Sequence, residues 1–265
     1  MLALGFINKP EGFFYSTREG GSMAWNDKDG EIEHALERGF TVNVDGHSVP
    51  GVYWQPKQGN ADFLVLLGHG GGTHKKVDYL LAMVELLAQR GIAAMSIDGP
   101  GHGERAQGDG SQSVNEFASL WHGAGGTETV IKDWMACLDF VEAQMGARAA
   151  AWWGLSMGTM MGIPVTATDK RIRLALFGLM GDWGPNQQDL ARLAPKVTCP
   201  VRFLVQWDDE IVPRDACFSL FNLLGSKAKT MHANPGPHAA VPRFEMVASI
   251  AYLDEKLRKY AATQA

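Results

Sequence analysis

Residues 149–158 read Ala149-Ala150-Ala151-Trp152-Trp153-Gly154-Leu155-Ser156-Met157-Gly158. The first five are apolar without alternation, as in a strand buried on both faces of a parallel sheet. The pentapeptide Gly154-Leu155-Ser156-Met157-Gly158 then turns the chain toward a helix starting near 157. A strained strand-to-helix turn lifts a serine hydroxyl above its sheet, and glycines on either side permit the close backbone packing this requires. The same residues also read as a glycine-rich turn whose serine caps the helix. The pentapeptide alone does not choose between these readings.

The surrounding rhythm is strand, turn, helix. Apolar strands are expected at 63–69, 92–98, 149–154, 173–179, 201–206 and 228–232, with helices at 77–90, 126–145, from about 157, 214–224 and 243–260. Such alternation implies an α/β fold with a mostly parallel sheet of about eight strands, helices on both faces and little or no separate cap. Residues 40–45 and 49–54 flank Gly46-His47 and read as an antiparallel hairpin. Residues 1–38 give no clean strand. They are expected to form, as residues 1–39, an N-terminal extension packing over the site, with 40–265 as the catalytic domain.

Chemistry in such a sheet sits beyond the carboxyl ends of the strands. The segments there are GHGGGTH, DGPGHGER, GLSMG, GDWGP, QWDDEIVP and NPGPH. A serine hydroxyl needs a base within hydrogen-bond reach, itself oriented by an acid. Asp208 or Asp209 supplies the acid and His238 the base, in the chain order Ser, Asp, His expected of an open parallel sheet. The His69-Gly70-Gly71-Gly72 loop presents backbone N–H groups without side-chain obstruction and, with the N–H of Met157, would form an oxyanion hole. A phosphate-cradling loop is the competing reading, but the following Lys-Ser/Thr of a P-loop is absent.

Composition narrows the classes further. Of the residues 46% are hydrophobic and 20% charged, a soluble globular balance, and 31 glycines suit a loop-rich α/β enzyme. The net charge is −5 with no basic run, which argues against nucleic acid as a partner. The three cysteines, Cys137, Cys199 and Cys217, are scattered, so neither a disulfide framework nor a thiolate metal site is expected. Without a signal-peptide pattern or an apolar run of about 18 residues, a cytoplasmic protein with no membrane span is expected.

Taken together, the HGGG loop, DGPGHGER, GLSMG, DEIVP and the final His loop resemble the α/β-hydrolase superfamily over roughly residues 45–260. Within it, the N-terminal hairpin and the lack of a long insertion after 180 resemble the dienelactone-hydrolase-like and esterase–peptidase branches. Dienelactone hydrolases proper carry a cysteine at the elbow where this chain has Ser156. The resemblance implies a serine hydrolase with Ser156 as nucleophile, His238 as base and, through the pattern D-x-x-V-P, Asp209 as acid. It implies Met157 and Gly71 as oxyanion donors, with Gly70 or Gly72 as alternatives to Gly71. No cofactor and no metal are expected. The expected reaction is hydrolysis of a small-to-medium carboxylic ester through an acyl-enzyme. The rival readings are a peptidase or amidase, a thioesterase or a C–C hydrolase with the same triad, or a silent binding module. A homo-oligomer is left open. His69 is expected to orient the oxyanion loop, and Asp98 to anchor the neighbouring loop beside a structural His102. Trp121, Trp183 and Phe117, with Phe13, Phe14 or Tyr15, are expected to line the substrate site, and His74 and His122 its mouth. Lys75, Lys76 and Arg105 read as solvated surface cations.

Overall fold

The computed structural model of the chain describes residues 15–16, 22–106 and 114–264. Ten strands form one sheet: β1 (Tyr15–Ser16), β2 (Ser22–Glu31), β3 (Ala35–Val44), β4 (His47–Pro56), β5 (Phe63–Gly68), β6 (Ile92–Ile97), β7 (Ala149–Gly154), β8 (Ile172–Gly178), β9 (Val201–Gln206) and β10 (Lys229–Asn234). Among the described residues seven α-helices accompany them: α1 (Asp78–Ala88), α2 (Val114–Gly123), α3 (Gly126–Met145), α4 (Met157–Thr168), α5 (Gln187–Leu193), α6 (Arg214–Leu223) and α7 (Arg243–Ala262). The spatial order is β1-β2-β3-β4-β6-β5-β7-β8-β9-β10. From β6 to β10 all neighbours are parallel, whereas β1 to β4 and the β4–β6 junction are antiparallel.

The parallel strands fall where their apolar runs place them, because burial on both faces leaves a continuous signal. The N-terminal segment differs from expectation. Residues 22–31 and 35–39 are strand, and among the described residues the sheet has ten members rather than about eight. β2 sets one aromatic, Trp25, among charged residues and carries an irregular register between Trp25 and Asp29, so no clean alternation betrays it. The residues 1–14 and 17–21 expected to pack over the site lie outside the described residues. The β3–β4 turn is Asp45-Gly46, one residue earlier than expected. Both have positive φ, 48° and 86°, the pairing of a type I′ hairpin.

Two apolar layers cover the sheet. On one face Trp152, Phe177 and Phe203 pack beneath α3, α4 and α5, with the rings of Trp134 and Trp152 4.6 Å apart. On the other, Trp153, Leu67 and Leu176 pack beneath α1 and α7. The helix after the serine turn lies very close to the sheet. A Cβ on Gly158 would stand 2.3 Å from the carbonyl oxygen of Gly68, and one on Gly162 2.1 Å from the indole nitrogen of Trp152. Gly158→Ala should therefore lower stability by about 1–3 kcal/mol or more, read as a lower urea midpoint at unchanged slope. Among the described residues no helix is long and apolar enough to cross a membrane.

Candidate active site

The carboxyl end of β7 delivers Ser156 onto a turn with φ 56° and ψ −121°. A non-glycine residue is rarely held there, and the conformation costs on the order of 1–3 kcal/mol. The surroundings hold it in place. The Ser156 N–H donates to the carbonyl of Gly178 at 2.9 Å, and the Thr159 hydroxyl bridges the carbonyls of Gly154 and Gly178 at 2.8 and 2.7 Å. Ser156 thus precedes α4 with its hydroxyl free of the capping bond that the alternative reading required. Met157, the first helical residue, has an N–H with no intrahelical acceptor.

Two loops bring the partners. Beyond β10, His238 places Nε2 3.0 Å from Ser156 Oγ and Nδ1 2.7 Å from Asp209 Oδ2. Beyond β9, Asp209 Oδ1 accepts the N–H groups of Ile211 at 2.9 Å and Val212 at 2.8 Å, which aims Oδ2 at the imidazole. Asp208 instead accepts the N–H of Gly236 with its carboxylate at 2.9 Å and stays exposed. Two supports were not legible beforehand. Glu210 accepts the His238 N–H at 2.8 Å, and the buried amide of Gln206 reaches the carbonyls of Pro235, Pro237 and Ala240 at 3.1–3.3 Å. Both fasten the His loop to the acid loop by backbone contacts, which leave no spacing pattern in the sequence.

The glycine loop after β5 is held from below by His69, fully buried. Its Nδ1–H donates to the Gly70 carbonyl at 2.8 Å and its Nε2 accepts the Gly99 N–H at 2.9 Å, so the ring is neutral and ties this loop to the one after β6. Burial lowers its pKa from 6.5 to about 4. Between those values the unfolded chain binds a proton that the native protein refuses, so stability falls as pH drops through this window and levels off below it. The loss from this group is on the order of 3 kcal/mol. Urea unfolding between pH 7 and pH 4 should show a steeper decline for wild type than for His69→Asn; equal slopes would contradict the role given to His69. On the upper side, the Gly70 N–H donates to Tyr79 Oη at 2.7 Å and the Thr73 hydroxyl donates to the Gly70 carbonyl at 2.7 Å.

No protein-family model and no curated protein matches the chain. Among solved structures, the PEG-bound complex of a cold-adapted esterase from an Arctic intertidal metagenomic library is 58% identical over 88% of this chain and 99% of that one, with a TM-score of 0.84. The chain belongs to the α/β-hydrolase-fold esterases. A zinc-bound structure of a cold-adapted esterase from such a library is 53% identical over the same shares, at a TM-score of 0.78. An acetyl xylan esterase from Paenibacillus sp. R4, 19% identical over 89% of this chain and 88% of that one, shares the fold at a TM-score of 0.67.

The esterase carries a cavity of about 750 Å³ at the serine. Ser156, His238, Gly70 and Gly71 line one end of it, and Tyr79, Met83 and Leu86 of α1 with Val241, Met246 and Val247 line the rest. This corrects the expected lining at two positions. Trp121 is buried and Trp183 packs against the core under α3 and α4; neither borders this cavity. The Phe13 and Phe14 positions, and the side chains of Tyr15 and Phe117, lie outside the described residues. His122 borders a different cavity beside Trp121, and His74 accepts the Lys76 N–H in an exposed turn.

The cations are not free. Lys75 is buried and paired with Asp98 and Glu104, Arg105 pairs with Asp133 at 2.8 Å, and Lys76 pairs with Glu37. Asp98 anchors its loop as expected, accepting the N–H groups of Lys75 at 2.9 Å and Glu104 at 3.0 Å. His102 is buried, with Nδ1 2.8 Å from the Pro100 carbonyl. Burial pushes the thiols of Cys199 and Cys217 up to about 11 and about 12, and that of Cys137 well above its usual value, as inert cysteines require. Among the described residues, Glu33, His34 and Glu85 form one group close enough to share a metal ion. In it Glu85 is already bonded to the ring and backbone nitrogens of His34 at 2.7 and 3.0 Å.

Proposed function

We propose that this esterase cleaves small-to-medium carboxylic esters by acyl transfer to Ser156, with His238 as general base and acid and Asp209 as its orienting carboxylate. The observation that carries this reading is the unbroken contact chain from Ser156 Oγ through the imidazole to Asp209. Because Asp209 accepts only, Nδ1 carries the ring hydrogen and Nε2 faces the serine as an acceptor. As Oγ bonds to the carbonyl carbon, its proton passes to Nε2, and Asp209 stabilises the imidazolium so formed. Collapse of the tetrahedral intermediate expels the alcohol, which takes that proton. Water then attacks the acyl-enzyme by the same route in reverse and releases the acid.

For the oxyanion, we assign the N–H groups of Met157 and Gly71. The first follows the nucleophile and heads α4. Among the loop glycines, Gly70 has its N–H committed to Tyr79, and Gly72 does not border the cavity, whereas Gly71 does. Such a donor is typically worth about 2.7–4 kcal/mol in the transition state. The reading predicts that a fluorophosphonate probe labels the protein at one site, mapped by peptide mass to Ser156. Labelling elsewhere, or none in a protein that hydrolyses esters, would refute it.

A further inference from the structure

We propose that the groove between α1 and α7 holds the acyl chain of an aliphatic ester of medium length. The proposal rests on Ser156 as the nucleophile. It starts from a feature of α1, which carries two apolar stripes where packing needs one. Leu80, Met83, Val84, Leu87 and Ala88 are buried against the sheet. Tyr79, Ala82, Met83 and Leu86, spaced i, i+3, i+4 and i+7, form a second line, and all four border the cavity that contains Ser156. A helix that only covers a sheet turns polar residues away from its core stripe. Met83 is shared with the core, Tyr79 and Leu86 are half-buried against it and Ala82 is exposed, so the part of this line left uncovered at the cavity is apolar.

The far wall has the same character. Met246 and Val247, from the first turns of α7, face the stripe across the cavity, with Val247 still 38% exposed. The polar side chains at this end are Arg243 and Glu85, and Glu85 is occupied by His34. The groove also has a direction. Its Tyr79 end is fastened to the oxyanion loop by the Gly70 N–H, and from there to Leu86 the helix rises roughly 10 Å. A carbonyl seated at Gly71 and Met157 can therefore send its alkyl chain along α1 over several methylenes before it meets water. Each methylene so buried should raise kcat/KM about fourfold, the ratio corresponding to ~0.8 kcal/mol. Methionine and leucine walls suit flexible aliphatic chains, and their adaptability sets no sharp shape requirement.

The test compares wild type, Ala82→Trp, Leu86→Ala and Ser156→Ala on p-nitrophenyl acetate, butanoate, hexanoate and octanoate, and on ethyl, butyl and hexyl acetate. Wild type should prefer hexanoate to acetate by at least tenfold in kcat/KM. Ala82→Trp fills the groove near its start and should cut that ratio at least tenfold, mainly through KM for the longer ester. Leu86→Ala removes a contact at the far end and should lower the octanoate-to-butanoate ratio a few-fold. Each variant's own acetate rate is the reference, so partial loss of folded protein does not alter the ratio. Unchanged ratios in both variants would overturn the proposal. So would a loss confined to the alkyl acetates, which would put the alcohol in the groove. Failure of the underlying nucleophile reading would appear separately, as wild-type turnover by Ser156→Ala across the whole series.

Discussion

Ser156→Ala is expected to hydrolyse p-nitrophenyl butanoate with kcat lowered on the order of 10⁶-fold, the size seen when a triad nucleophile is removed, leaving the residual rate of the oxyanion site and binding alone. The effect should be on kcat, since the hydroxyl contributes to the transition state and not to holding the substrate. The fold should survive. Ser156 contributes its backbone N–H to the Gly178 carbonyl, a bond alanine keeps, and Thr159 holds the turn from outside. Thermal unfolding within a few degrees of wild type, together with the kinetic loss, would separate chemistry from stability. A kcat within tenfold of wild type would remove Ser156 from the reaction.

Asp209→Asn should be the second largest loss, about 10⁴-fold in kcat. Its geometry makes the change selective. Oδ1 of the asparagine can still accept the Ile211 and Val212 N–H groups, so the loop keeps its shape. The amide nitrogen then faces His238 Nδ1, a donor opposed to a donor. The imidazole answers by moving its hydrogen to Nε2, which can no longer take the serine proton. Asp208→Asn is the informative contrast, because Asp208 accepts the Gly236 N–H at the exposed side of the same loop and does not reach the imidazole. Its loss should be tenfold or less. Equal losses for the two variants would mean that the carboxylate acts by holding the loop rather than by orienting His238.

The convergence of Ser156, His238 and Asp209 was legible because the turn that carries the serine is constrained locally. Ser156 needs glycines at 154 and 158, where a Cβ would strike backbone carbonyls, and those requirements are written at fixed offsets. The parallel strands were legible because a strand buried on both faces is apolar almost throughout, as β5 and β7 are and β6 is except at Ser96. What escaped depends on distant partners. β2 and the first half of β3 belong to the sheet's antiparallel side, where charged residues such as Asp29 and Arg38 break any regular alternation around Trp25. Lys75 reads as a surface cation until Asp98, 23 positions later, is folded against it. The cavity lining was misread for a similar reason. Tryptophans beyond the strand ends suggested a pocket wall, but Trp121 and Trp183 found the core, while α1 supplied the wall from a stripe that periodicity alone merges with its core face.

The proposed reaction passes through a covalent acyl-Ser156 intermediate, which rapid acid quenching of wild type with excess p-nitrophenyl acetate, followed by intact and peptide mass measurement, tests directly. A protein one acetyl group heavier, with the added mass on the peptide containing Ser156, is the predicted result. An acyl group carried by another residue, or full turnover with no covalent intermediate under conditions that give a p-nitrophenol burst, would contradict it.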